Sequence, residues 1–109
     1  MRSVAVVGAA LALLALTLPA AAQRTVSARS GQPVVVDQAH ACNRVMPQPS
    51  AGAEHGTTQV VAITVVSCGR NDQPAWRVIY TSAPGYKGPD TVNVHFSQGQ
   101  GHTINVMVR

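Results

Sequence analysis

The amino-acid sequence predicts an all-β fold, a small antiparallel β-sandwich with one disulfide. Three observations carry that prediction. Short runs rich in Val, Ile and Thr are separated by Gly, Pro, Asn and Ser. Beyond the N-terminal segment, no stretch places apolar residues at i, i+3, i+4 and i+7, as an amphipathic helix requires. The chain has two cysteines, Cys42 and Cys68, behind an apparent export signal, and an even count in an oxidising compartment reads as a bridge.

The export signal comes first in the chain. Met1-Arg2-Ser3 is a short basic start, and Val4 to Leu18 is an apolar run of about fifteen residues, too short to span a bilayer comfortably. Ala20-Ala21-Ala22 offers the small residues that a signal peptidase reads, so the expected signal peptide is residues 1–22. Cleavage there leaves residues 23–109, enough for one small domain, located in the periplasm or secreted, with no membrane span.

Composition then narrows the function. The net charge of +4 falls to about +3 with the loss of Arg2. The remaining basic residues Arg24, Arg29, Arg44, Arg70, Arg77, Lys87 and Arg109 are scattered along the chain. Nucleic-acid binding wants a basic stripe, so it is not expected. The cysteine bridge encloses about 25 residues, for which chain entropy suggests roughly 3–4 kcal/mol of stabilisation.

The expected strands are residues 24–28, 33–36, 59–66, 76–81, 91–96 and 103–108. Val92, Val94 and Phe96 alternate with Thr91, Asn93 and His95, and Ile104, Val106 and Val108 alternate with Asn105 and Met107. Period-2 alternation means one buried face and one wet face. Matching the apolar faces sets Phe96 against Ile104, Val94 against Val106 and Val92 against Val108, with a loop at residues 98–102. His95 then lies opposite Asn105. Residues 59–66 are nearly continuous in apolar character, which suggests a central strand covered on both faces, or one covered by a second sheet and long loops. Trp76, Val78 and Tyr80 share one face of the following strand. Residues 37–58 read as irregular, because Met46-Pro47-Gln48-Pro49 cannot be a central strand. That length without structure is long for a compact domain, and implies either a functional loop or a missed strand.

The stretch Tyr80-Thr81-Ser82-Ala83-Pro84-Gly85-Tyr86-Lys87-Gly88-Pro89-Asp90 reads as a corner between strands. Pro84-Gly85 fits the centre of a type II turn, Gly88-Pro89 is a second bend, and Asp90 can accept hydrogen bonds from nearby backbone N–H groups. Tyr86 between the bends can plug one end of the sandwich. Continued through Thr91-Val92-Asn93-Val94, this stretch resembles the motif Y-T-P-x-P-G-[FY]-x-G-x-D-x-[FV]-x-[YFV] of bacterial immunoglobulin-like, cadherin-like domains, with Ser82 in place of the first proline. The resemblance covers about fifteen residues and implies a small exported immunoglobulin-like sandwich. It does not imply calcium, because Asp37, Glu54, Asp72 and Asp90 are widely spaced. Trp76 follows both cysteines, so the bridge is not expected at the usual core position.

No cofactor is implied. The serines lack a nucleophile elbow or a neighbouring base, and the four acidic residues are not adjacent, so an enzyme is not expected. The leading reading is a noncatalytic exported binding module of the bacterial envelope. Its expected recognition surface is residues 37–58 and 69–75, held together by the disulfide, and its protein or envelope partner is unidentified. Two rivals remain. A periplasmic copper- or zinc-binding protein would use His40 and His55 if the long loop folds over itself. A small secreted hydrolase inhibitor would present Met46-Pro47-Gln48-Pro49 as a rigid loop.

Overall fold

The computed structural model describes residues 24–97, 99 and 101–109. The expected signal peptide and two residues of the expected hairpin loop, Gln98 and Gln100, lie outside the described residues. The described chain forms seven strands: β1 (Thr25–Ala28), β2 (Pro33–Ala39), β3 (Ser50–Ala53), β4 (Gly56–Ser67), β5 (Arg70–Ser82), β6 (Gly88–His95) and β7 (Gly101–Val108). They lie in two sheets, ordered β1-β7-β6-β3 and β2-β5-β4. Among the described residues no helix is long and apolar enough to cross a membrane.

Each sheet hides one face in the other. Val92 and Val94 of β6, Ile104, Val106 and Val108 of β7, Ala28 of β1, Val36 of β2 and Val78 and Tyr80 of β5 form the core. The period-2 pattern of the last two strands decides which residues are buried, as the sequence requires. With β2-β5-β4 facing β3-β6-β7, the strand order is that of an immunoglobulin-type sandwich. One departure is β1, which pairs parallel to β7, Thr25 opposite Asn105 and Ala28 opposite Val108. The other six strands pair antiparallel.

Four expectations are corrected. The β6–β7 register sets Val92 against Ile104, Val94 against His102 and His95 against Gly101. Each partner is displaced by four positions from the expected pairing. An even displacement keeps the valines inside, so the apolar pattern alone does not exclude it. The irregular segment contains a strand, β3, whose sequence Ser-Ala-Gly-Ala has little β-propensity of its own. It is held by pairing with β6, Ser50 opposite His95. Residues 70–75 are no loop but the first half of β5. The chain turns just before them at Cys68 and Gly69, whose φ angles of 56° and 73° fit the two-residue hairpin turn with both central residues left-handed. Finally, β4 is not central. It is an edge strand paired with β5 alone, and none of its residues is fully buried.

Candidate interaction surface

The corner at residues 80–90 is built around one buried carboxylate. Tyr80, wholly inaccessible on β5, donates its hydroxyl to Asp90 Oδ2 at 2.7 Å. The same oxygen accepts from the His55 N–H at 3.0 Å. Asp90 Oδ1 accepts from the N–H groups of Thr91 at 2.8 Å and Glu54 at 3.3 Å. Asp90 thereby fastens the β5–β6 corner to the β3–β4 connection. Burial pushes its pKa up, but the Tyr80 hydroxyl and the three N–H groups outweigh this and hold it below the ordinary carboxylate value. Burial, followed by the hydrogen bond to Asp90, raises the Tyr80 phenol far above its usual value, so it stays a donor.

The turns agree with the sequence. The Tyr86 N–H donates to Ala83 O at 3.0 Å across Pro84-Gly85. Gly85 has φ of 85°, the left-handed value that the second central position of a type II turn requires. Tyr86 donates its hydroxyl to Pro89 O across Gly88 and packs against the core. Its ring stacks on His55 with centroids 4.3 Å apart. Shallow grooves of about 510 and 580 Å³ flank that stack, and Glu54, His55 and Tyr86 line both.

His40 and His55 do not converge. His55 adjoins the first residue of β4, while His40 Nε2 lies 3.1 Å from Ser67 Oγ at the last. A twelve-residue strand separates these points by roughly 35 Å. Each histidine has its own cluster of possible ligands, His40 with Cys42 and Cys68, and His55 with Glu54 and Asp90. In the first, the two sulfurs are bonded to each other. In the second, both Asp90 oxygens already accept two hydrogen bonds each. Neither cluster is a prepared metal site.

The opposite end of the molecule has a different character. β4 and β5 are twelve and thirteen residues long, whereas β6 and β7 have eight each. The buried core residues of β5 on the sandwich side start at Val78, so the hairpin continues past the core as an arm. The chain after β2 folds against it. Gln73, buried on β5, donates to Ala41 O at 3.0 Å, and Cys42 bonds Cys68 in the hairpin turn. The following loop is pinned by Trp76, whose Nε1–H donates to Met46 O at 2.8 Å, and by Pro49, which is buried. The expected bridge is therefore present, outside the core, as a clasp on the arm. Within three residues of its cysteines along the chain are Val66, 79% exposed, and Val45, 86% exposed.

One cluster gave no sequence signal. Asp37 on β2, 9% exposed, accepts from Arg24 Nη2 at 3.1 Å and lies 2.6 Å from His102 Nε2. The partners are far apart in sequence, so no local pattern announces them. Comparison of the chain with protein-family models, with curated proteins and with solved structures found no match.

Proposed function

We propose that this chain is a noncatalytic, exported interaction domain of the bacterial envelope, and that it engages a protein partner through the clasped β4–β5 arm. The observation that carries this reading is the exposure of Val45 and Val66, each within three residues of a cysteine of the Cys42–Cys68 bridge. Large apolar side chains left in water beside a rigid, cross-linked element mark a contact surface. The bridge fixes that surface before binding, which lowers the ordering cost of association. The apolar N-terminal run and the disulfide support export. The likeness of Tyr80–Val94 to the bacterial immunoglobulin-like motif supports a binding role over a catalytic one.

The test is site-specific photocrosslinking in the periplasm of a producing bacterium. A crosslinker at position 45 or 66 is expected to give a discrete adduct that Val66→Asp abolishes when the crosslinker is at position 45. Thr103, exposed on β7, is the control position. If all three positions yield the same diffuse products, the arm is not a binding surface.

A further inference from the structure

We propose that β4 is the pairing strand of a homodimer. Two copies join antiparallel along the free edge of residues 59–65 and form one six-stranded sheet, β2-β5-β4-β4-β5-β2. This deepens the reading of the arm as an interaction surface, and uses a different part of it.

Four edges exist in the two sheets, and three are blunted. β1 and β3 have only four residues each. β2 is bulged between Val35 and Asp37 and carries the buried Asp37 charge. Short strands, bulges and inward charges are devices that stop an edge from recruiting another strand. β4 has none of them over most of its length. It runs for twelve residues, Gly-Thr-Thr-Gln-Val-Val-Ala-Ile-Thr-Val-Val-Ser, without a single Lys, Arg, Asp, Glu or Pro. Among the described residues no strand is paired with its outer edge. Its near-continuous apolar pattern is that of a strand with neighbours on both sides and cover on both faces. The single chain leaves the outer side of β4 without a neighbour, and a second β4 supplies one.

The surroundings define how much of the edge is available. Near the start, Thr58 Oγ1 donates to Ala51 O at 2.8 Å, so β3 closes that end. Near the finish, a register irregularity between Val65 and Ser67 disturbs the strand. The window between them is centred on Ala62, which is exposed and has the smallest side chain of the run. A two-fold axis at Ala62 sets Val61 opposite Ile63, Val60 opposite Thr64 and Gln59 opposite Val65. Apolar and β-branched cross-strand pairs of this kind stabilise antiparallel ladders.

Self-complementarity selects a second copy as the occupant. The two-fold pairing sets apolar and β-branched residues of one β4 against those of the other, and the strand brings no like charges face to face along the seam. A two-fold contact uses up the edge in both copies and stops at two.

The experiment is analytical ultracentrifugation of the purified disulfide-bonded protein at roughly 100 µM, above the micromolar dissociation constants within reach of small interfaces. The expected result is twice the chain mass, falling to one on dilution. Ala62→Lys, which changes an exposed side chain, is expected to give a monomer with an unchanged circular dichroism spectrum. Ala62→Cys is expected to form an intermolecular disulfide under mild oxidation far faster than Thr103→Cys, because directly opposed residues in an antiparallel pair fall within bridging distance. A monomeric protein without preferential Ala62→Cys crosslinking overturns the proposal, as does a dimer that Ala62→Lys leaves intact. Either outcome leaves the arm's contact with another protein standing, since that is read at positions 45 and 66.

Discussion

Asp90 shows how much one side chain can organise in a domain this small. Its four hydrogen bonds come from two N–H groups of the β3–β4 connection, from the next residue in the chain and from the core tyrosine. Tyr80→Phe removes a hydrogen bond to a buried charge and should cost about 2 kcal/mol in chemical denaturation. Asp90→Asn turns an acceptor that serves four donors into one that brings donors of its own, and should cost about 3 kcal/mol. The pH dependence follows from the lowered pKa of Asp90. In the unfolded chain an aspartate titrates near 3.9, and in the fold it titrates lower. Between the two values the unfolded state binds more protons, so stability rises with pH. The Asp90 contribution is complete above about pH 4 and is lost as pH falls through the folded value. Denaturation midpoints measured across this range should show a shallower acid slope in Asp90→Asn. Gly56 is a second sensitive residue. A Cβ there would lie 2.5 Å from Thr81 O and 2.8 Å from Ser82 Cα. Gly56→Ala must therefore displace backbone, and a loss of about 1–3 kcal/mol is expected. The corner was legible because its signals are local. Pro84, Gly85 and Gly88 bend the chain, and Tyr80 and Asp90 lie ten residues apart within one motif. The link between Asp37 and His102 spans 65 residues and left no such trace.

At the scale of elements, the arm depends on its clasp. Cys42 and Cys68 lie 26 residues apart, and loss of the bridge in a Cys42→Ser, Cys68→Ser double variant should cost about 3 kcal/mol. The effect should also be uneven. Amide hydrogen exchange should accelerate in the far halves of β4 and β5, while β6 and β7, whose valines and isoleucine fill the core, keep their relative protection. The strands β1, β6 and β7 were legible, within three residues at their ends. β3 was not, because Ser, Ala and Gly carry no pattern and the strand exists only through its neighbour. β4 was found but misplaced. Its apolar run describes the environment a strand prefers, and the chain alone leaves that preference unmet. The β6–β7 register escaped for a different reason: alternation fixes which face is inward and leaves even shifts open.

For the whole molecule, the two sheets are tied on one side by the β3–β4 connection and on the other by Asp37. Arg24 precedes β1 and His102 is the second residue of β7, so their contacts with Asp37 join the first sheet to β2 of the second. Arg24 also donates to Val36 O at 2.7 Å. Asp37→Ala should cost about 2 kcal/mol, since it strips an acceptor from Arg24, His102 and the Gln38 N–H while leaving the apolar core intact. A thermal melt that stays cooperative at a lower midpoint would fit that role. The sandwich architecture and its bridge were legible from turn chemistry, alternation and cysteine count. Which strands lie at the edges was not, since that depends on long-range order across the sheets.

The parallel seating of β1 on β7 sets how the domain carries tension. Arg24 and Arg109 leave the β1–β7 pair at opposite ends, and the pair is laced by bonds from Asn105 N to Arg24 O and from Arg109 N to Ala28 O. A pull between those ends drags the two strands past each other along their length. Every rung then shares the load and must yield together, whereas an antiparallel terminal pair pulled at one end would unzip rung by rung. The domain is thus built as a lap joint, with its seam aligned along the line of force.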